Sequence, residues 1–338
     1  MREQMWDFGL DRGQAFEPDE DEDVSCDRSM PHVMTALGPV EPDDLGVTLH
    51  HEHVIARPSG DDHDLVLDDP HRVLSDLEEY YLAGGRTIVD MSTADCGRDA
   101  SAVAWLAARS PINVVVATGH HNDLSAAPFL RERTAEKIAA GAVAEIRTGI
   151  GNTGVCAGVI TAGTSFDQIT AVEERVLRAA AWAQLETGAP ISTFTAAGRM
   201  ALEQLAILRE EGAEASHVIV GQFDRDLDRP YLVRVLETGA FVSFDQIGST
   251  HLGRDEERAA MIKQLVDDGY SDHLLFSGDL ARKSTQSAYG GAPGWTYVMA
   301  GFPLMLMELG LGAEDVRQLM VENPARALTT RPPSRHIP

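Results

Sequence analysis

Short apolar runs rich in β-branched residues recur along the chain from about Met34 onward, and a stretch of strong helix formers follows each of them. In one such stretch, residues 168–187, apolar positions recur at the spacing of a single helix face. The runs lie at residues 47–51, 87–90, 114–117, 158–161, 191–194, 218–221, 241–244 and 274–277. Strands that alternate with helices in this way predict a parallel sheet with helical crossovers.

The number of strand–helix units, eight, predicts an α/β fold of the (β/α)8 TIM barrel type over residues 31–330. The competing fold is an open, doubly wound sheet, which normally carries a glycine-rich phosphate loop after its first strand. The first run here ends in histidines instead. In a barrel the chemistry lies at the carboxyl ends of the strands, so the last residues of each run are the candidates for function.

The first 30 residues differ from the rest of the chain, because they contain few apolar residues and an acidic run at positions 17–23. Low hydrophobicity with high net charge predicts a disordered N-terminal arm over residues 1–30. The alternative is a segment that docks on a partner subunit or covers a site, for which Trp6 and Phe8 would serve as anchors. Residues 331–338 form a short tail.

The chain has 338 residues, of which 43% are hydrophobic and 24% charged, as is usual for a globular protein. A formal net charge of −25 argues against nucleic-acid and membrane partners, since phosphate backbones and anionic bilayers would repel it. The sequence has neither a signal peptide nor a run of about 18 apolar residues, so we expect a cytoplasmic protein with a small-molecule substrate. The apolar stretch 299–307 is either a buried helix, which we favour, or the contact surface of a homodimer.

Two runs end at or just before residues that commonly bind metals. His51 ends the first run and His53 follows it, and alternation along a strand turns both imidazoles to the barrel mouth and Glu52 to the helices. A divalent metal site is the functional interpretation, and ordinary buried histidines are the alternative. Asp279 follows the eighth run, where it would ligate a metal and accept a proton from water, or cap a helix that begins at Leu280. Two histidines and one carboxylate leave coordination positions open for catalysis.

Further motifs extend this picture over most of the chain, which from about residue 31 to 326 resembles the phosphotriesterase family of the amidohydrolase superfamily. The matching segments are GPV (38–40), LGVTLHHEH (45–53), VDMST (89–93), GRD (97–99), DR (224–225), SGD (277–279), YGG (289–291) and ENPAR (322–326). The resemblance implies a (β/α)8 barrel with two divalent metals bridged by a carboxylated lysine and a hydroxide. It also implies hydrolysis of phosphotriesters, lactones or related esters.

Three of the six metal ligands that the resemblance implies are replaced. Thr161 stands at the position of the lysine of the fourth strand, and Phe194 and Gln222 stand at those of the histidines of the fifth and sixth strands. The lysines of the chain, at positions 137, 263 and 283, lie outside the predicted strands, so no carboxylated lysine is expected. Two dications about 3.5–4 Å apart would then repel each other without a bridging anion. We predict that the metal pair does not form, and that the remaining ligands hold one Zn, Fe or Mn ion or none.

Two histidines that the family does not usually carry follow the third run. His120 and His121 would line the substrate pocket, act as acid and base near pH 7, or supply a replacement ligand. The alternative is a polar loop that caps the next helix.

Three more residues are candidates for substrate contact. Gln246 follows Asp245 at the end of the seventh run, where the family often has a histidine, so a common member of its proton relay is neutral here. Arg225 would contact an anion, or would only pair with the neighbouring Asp224.

These residues favour an enzyme with altered chemistry over an ordinary binuclear phosphotriesterase. One metal would support hydrolysis of an ester, lactone or amide, and an elimination, cyclisation or isomerisation is also open. A metal-free acid–base enzyme that uses His120 and His121, or an inactive binding or scaffolding relative, is the alternative. The retained histidine pair favours the enzyme, and the neutral Phe194 and Gln222 favour a substrate less charged than a phosphate.

Overall fold

Eight parallel strands form the central sheet of the protein, and they follow one another around it in chain order. The computed structural model describes residues 30–122 and 130–332. A short antiparallel hairpin, β1 (Val33–Thr35) and β2 (Gly38–Val40), precedes the sheet. The strands of the sheet are β3 (Thr48–Glu52), β4 (Thr87–Asp90), β5 (Asn113–Gly119), β6 (Val159–Gly163), β7 (Ile191–Phe194), β8 (Val218–Gly221), β9 (Phe241–Phe244) and β10 (Leu274–Phe276).

Helices follow each strand of the barrel and pack on the outside of the sheet. They are α1 (Pro70–Leu82), α2 (Ala100–Ala107), α3 (Ala135–Arg147), α4 (Ala171–Thr187), α5 (Ala201–Glu210), α6 (Arg229–Leu236), α7 (Asp255–Asp267), α8 (Gly294–Thr296), α9 (Phe302–Glu308), α10 (Ala313–Arg317) and α11 (Asn323–Leu328). Helix α4 shows how the sequence sets such an element. Thr170 and Glu173 form a capping box at its start, and Gly188 ends it in the left-handed conformation.

Alternation along each strand sorts the apolar side chains into two groups. One set packs together inside the barrel and the other packs against the helices, as the period of two in a strand requires. The inner set includes Val89, Val115, Val159, Ile219, Phe241 and Leu275. The outer set includes Ile88, Val114, Ile160, Val218, Val242 and Leu274. The barrel interior is therefore a filled core below its mouth.

The seam between the first and last strands of the barrel lacks a regular ladder and is joined by other contacts. The main-chain N–H of His51 donates to the Ser277 hydroxyl at 3.1 Å, and the N–H of Asp279 donates to the His51 carbonyl at 3.0 Å. Strand β3 also changes register against β4 between Leu49 and Glu52. These contacts bring the end of β3 against the loop that follows β10, and the barrel is nearly closed.

The predicted fold is confirmed, and five of the eight runs coincide with or contain the observed strands. A GxGxxG spacing at residues 149–154 precedes β6 and does not follow β3, so it gives no support to the doubly wound alternative. The apolar stretch 299–307 lies in a helical segment whose Met299, Phe302 and Leu306 are buried, whereas Leu304 is exposed.

Some predictions on the chain's organisation stay predictions. The proposed arm falls almost wholly in residues 1–29, with Trp6 and Phe8, and most of the tail falls in residues 333–338, all outside the described residues. The homodimer is likewise untested. Within residues 30–122 and 130–332, none of the helices has the length and apolar character needed to cross a bilayer.

Candidate metal centre and active site

His51 lies in β3 at the mouth of the barrel, and a carboxylate holds its ring from behind. Its Nδ1 atom lies 2.8 Å from Oδ2 of the fully buried Asp245. Burial alone would lower the pKa of His51, but the carboxylates of Asp245 and Asp279 raise it to about 9. A carboxylate at Nδ1 favours a proton there and leaves Nε2 as the atom that faces the site.

His53 is held in the same way by a different partner. Its Nδ1 atom lies 2.9 Å from the hydroxyl of Ser92, which follows β4, and its Nε2 atom lies 3.3 Å from Oδ1 of Asp279. The main-chain N–H of Ser92 donates in turn to Asp90. Both histidines of the predicted pair therefore use Nδ1 for a protein contact and turn Nε2 towards the same carboxylate.

Asp279 completes the set from the loop after β10. Its Oδ1 atom lies 3.8 Å from Nε2 of His51, and its Oδ2 atom accepts a hydrogen bond of 3.1 Å from the side-chain amide of Gln222. Burial would raise the pKa of Asp279, but His51, His53 and His121 lower it. The alternative role of Asp279 as a helix cap is wrong, because residues 280–282 are not helical.

The donor atoms of His51, His53 and Asp279 lie within 4.8 Å of one another. Among the described residues, this is the group of histidine, cysteine and acidic side chains that could hold a metal ion. Two imidazole nitrogens and one carboxylate oxygen suit Zn, Fe or Mn and leave positions for water or substrate. The residues present therefore fit one divalent metal.

The three replaced positions lie at the same mouth of the barrel. The hydroxyl of Thr161 is buried and has no hydrogen-bond partner among the described residues. Phe194 is half-buried, with its ring edge-on to His121 at 6.0 Å between centroids. A Cβ atom at Gly163 would lie 2.6 Å from the Phe194 ring, so the glycine makes room for the phenylalanine. Gln222 contacts Asp279 and adds no charge. These positions supply neither an imidazole nor a carboxylate.

His120 and His121 also lie at this mouth. The His121 ring is 6.4 Å from that of His53, and both histidines contact Asp95, through Nδ1 of His120 at 3.5 Å and the main-chain N–H of His121 at 3.1 Å. Burial would lower the pKa of His121, but Cys96 and Asp95 raise it. Thr134 caps α3, and residues 123–129 lie outside the described residues, so the alternative in which these histidines cap the next helix stays a prediction.

The remaining candidates are placed differently from one another. Asp245 lies behind His51, and Gln246 is buried with its side-chain oxygen unpaired among the described residues. Arg225 is exposed, and the suggested pairing with Asp224 is wrong, since Asp224 pairs with the buried Arg258 at 3.4 Å. The structure thus gives Asp245 a contact with a predicted ligand, whereas the substrate contacts of Arg225 and Gln246 stay predictions.

Sequence reasoning missed the residues that support the site. Alternation along the strand places Glu52, whereas the sequence assigns no role to Ser92, Asp95 or Arg258. Asp95 lies between two segments that carry the family resemblance, at residues 89–93 and 97–99, which was a usable signal. Arg258 has an i,i+3 partner in Asp255 on its own helix, but its contact with Asp224 comes from another element and had no local signal.

Comparison with known proteins identifies relatives over most of the chain. The sequence model described as "Phosphotriesterase family" matches residues 31–328. The Phosphotriesterase homology protein of Escherichia coli (strain K12) is 35% identical over 287 residues, which cover 84% of this chain and 98% of that protein. The N-acetyltaurine hydrolase of Salmo salar is 28% identical over 342 residues, covering 88% and 97%.

A solved structure agrees with the fold. The crystal structure of the lactonase Lmo2620 from Listeria monocytogenes superimposes with a TM-score of 0.86 at 34% identity and covers 89% of this chain and 100% of that one. The similarity therefore includes the whole barrel and its mouth.

Proposed function

The chain belongs to the phosphotriesterase family, and from this premise we propose that it is a metal-dependent hydrolase with one divalent ion on His51, His53 and Asp279. The observation that carries the proposal is the convergence of these three donor atoms within 4.8 Å. Asp245 and Ser92 hold the two imidazoles from behind, so the site is preorganised. The absence of anionic side chains at Thr161, Phe194 and Gln222 supports a single ion.

The side chains at the mouth have separate tasks in this proposal. A divalent metal at such a site polarises a carbonyl group and lowers the pKa of water. Asp279 is ionised near neutral pH because the neighbouring histidines lower its pKa, so it can accept a proton from water. The Gln222 amide holds Oδ2 of Asp279 and thereby leaves Oδ1 towards the imidazoles.

His121 is the candidate proton donor to the leaving group. It lies beside His53 and Phe194, and its raised pKa keeps the ring protonated further into the neutral range. His120 shares the Asp95 carboxylate with it, which makes it a candidate for the same relay.

The substrate in this proposal is a lactone or an amide, with a simple ester next. Phe194 and Thr161 give the vacated half of the barrel mouth a neutral lining, which disfavours a phosphate. Relatives named lactonase and N-acetyltaurine hydrolase support the same classes. Arg225, exposed in the loop after β8, would contact an anionic group remote from the scissile bond, and Gln246 would use its unpaired oxygen to accept a hydrogen bond.

A substrate panel with metal control tests the proposal. Chelated protein would be reloaded with Zn, Mn or Fe and assayed on lactones, N-acyl amides, carboxylate esters and a phosphotriester. We expect turnover of a lactone or amide that needs the metal and falls by about 10³-fold or more in His53→Ala, since loss of a ligand removes the Lewis acid. His71→Ala, an exposed histidine on α1, is the matched control and should keep full activity.

The other outcomes distinguish the remaining functions. Turnover that survives chelation and is lost in His121→Ala would support the metal-free acid–base enzyme. The contacts of His120 and His121 with Asp95 favour this alternative. Binding of panel compounds without turnover, in protein that holds its metal, would support a binding relative. A product formed by isomerisation, cyclisation or elimination, without addition of water, would support a non-hydrolytic reaction instead.

A further inference from the structure

Glu52, the residue between the two histidines, is fully buried and accepts four hydrogen bonds. Its Oε1 atom accepts from the Ser277 hydroxyl at 2.8 Å and from the main-chain N–H of Gly278 at 2.7 Å. Its Oε2 atom accepts from the N–H of Leu280 at 3.0 Å and from the indole N–H of Trp295 at 3.0 Å. The side chain turns away from the mouth, as alternation predicts, but all its donors belong to the segment that follows β10.

Two of these donors are the main-chain groups on either side of Asp279. One oxygen of Glu52 holds Gly278 and the other holds Leu280, so a single carboxylate grips the backbone before and after the predicted ligand. Asp279 itself has a φ of 45°, in the left-handed region. That conformation costs an aspartate about 1 kcal/mol or more unless its surroundings impose it.

The grip also lies at the weakest point of the barrel. Strands β3 and β10 are the two ends of the sheet order and share no regular ladder. Four donors on one buried carboxyl group hold it in a single orientation. At the seam, the Glu52 hydrogen bonds therefore join the first and last strands in place of main-chain hydrogen bonds. They also fix Asp279 relative to His51 and His53.

We propose that Glu52 is a positioning residue, which holds Asp279 in its left-handed conformation so that Oδ1 faces the two imidazoles. The inference rests on the proposed metal site and adds to it the device that aims the carboxylate. No contact of Glu52 with substrate or metal is involved.

Glu52→Gln tests this role with little change in shape. The glutamine keeps one oxygen, so one pair of donors, either Ser277 and Gly278 or Leu280 and Trp295, would face an NH₂ group instead of an acceptor. We expect the dissociation constant for Zn²⁺ or Co²⁺, measured by chelator competition, to rise about 10–100-fold. The visible absorption of the Co²⁺ form should also change, because it reports the geometry of the ligands.

Glu173→Gln is the matched control. Glu173 is also fully buried, and it accepts from the Ser165 hydroxyl at 2.6 Å and from the N–H of Thr170 at 2.8 Å. It orders the loop after β6, where no metal ligand is expected. We expect this variant to lose stability and to keep the metal affinity and the Co²⁺ spectrum of the wild type. If Glu52 had only a structural role, Glu52→Gln would give the same pattern.

Several results would overturn the inference. A folded Glu52→Gln protein that binds Co²⁺ within twofold of the wild type, with the same spectrum, would do so. If that variant fails to fold, Gly278→Ala replaces it, because the added Cβ atom would lie 2.9 Å from Cγ of Leu280 and 3.0 Å from both Oε1 of Glu52 and Cγ2 of Val298, so the segment around Asp279 must shift relative to Glu52. Unchanged metal affinity in Gly278→Ala would then overturn the inference, and weaker binding would support it.

Failure of the proposed function gives a different result. Wild-type protein that takes up no metal would contradict the metal site. The positioning role of Glu52 would then be tested by a crystal structure of metal-free Glu52→Gln or, if that variant does not fold, of Gly278→Ala. Loss of the left-handed conformation at Asp279 supports the positioning role. Retention of the conformation, with Oδ1 still facing the imidazoles, overturns it.

Discussion

Replacement of Arg258 by methionine is expected to be among the most destabilising single changes near the site. The guanidinium is fully buried, donates to Oδ1 of Asp255 at 2.6 Å and lies 3.4 Å from Oδ1 of Asp224. Asp224 in turn accepts the main-chain N–H of Asp245, the residue behind His51. Methionine fills a similar volume but leaves two buried carboxylates without their cation.

The magnitude follows from the charge that is left behind. Breaking a buried ion pair from one side costs about 3–5 kcal/mol, because the other charge stays buried and uncompensated. Burial and the neighbouring Asp245 hold the pKa of Asp224 well above its usual range even in the presence of Arg258. Asp224 can therefore escape part of the cost by taking up a proton, and we expect a loss of about 3 kcal/mol at pH 8.

Urea denaturation at pH 8 and pH 5.5 measures this loss. The deficit of Arg258→Met should shrink at the lower pH, since a raised carboxylate pKa means that protonation removes the uncompensated charge. Arg178→Met is the control, because Arg178 pairs with Glu174 and Glu211 at the surface and should cost about 1 kcal/mol or less. A loss below about 1 kcal/mol at pH 8, or one equal to that of the control, would refute the reasoning.

Two further predictions concern packing and pH. Gly163→Ala would bring a Cβ atom within 2.6 Å of Phe194, so the ring must move. Differential scanning calorimetry should show a loss of stability of about 1–3 kcal/mol, and unchanged stability would contradict this. Burial and Glu79 raise the pKa of Asp76 from 3.8 to about 6 despite the Ala288 N–H, so its stabilising contribution is full below pH 4 and is lost as the pH rises through 6. Between pH 4 and pH 7, the free energy of unfolding of Asp76→Asn should rise relative to that of the wild type by up to about 3 kcal/mol, as measured by urea titrations. Parallel pH profiles of the two proteins would contradict this.

The barrel could be predicted from the sequence because its signal is local and repeated. The runs at residues 87–90, 191–194, 218–221 and 241–244 coincide with β4, β7, β8 and β9. In a closed parallel barrel each strand is buried on both faces, so an apolar β-branched run marks it without knowledge of its neighbours. The predicted runs end one residue before β3 and two residues before β6, because the last residues of these strands, His50–Glu52 and Thr161–Gly163, depart from the apolar pattern.

The contacts that build the site could not be predicted in the same way. The choice of metal ligand or helix cap for Asp279 depends on a positive φ, which the sequence Ser-Gly-Asp does not specify. The indole of Trp295 reaches Glu52 across 243 positions of sequence, and Ser92 reaches His53 across 39. Such pairs follow from barrel closure, so they become visible only when the fold has brought the strand ends together.

The central claim is that this mouth holds a single divalent ion and no bridged pair. Metal analysis of the dialysed, Zn-loaded protein, together with anomalous diffraction from its crystals, tests it most directly. The account predicts one equivalent per chain, bound between His51, His53 and Asp279 and lost in His51→Ala. Two tightly held ions about 3.5–4 Å apart would contradict it.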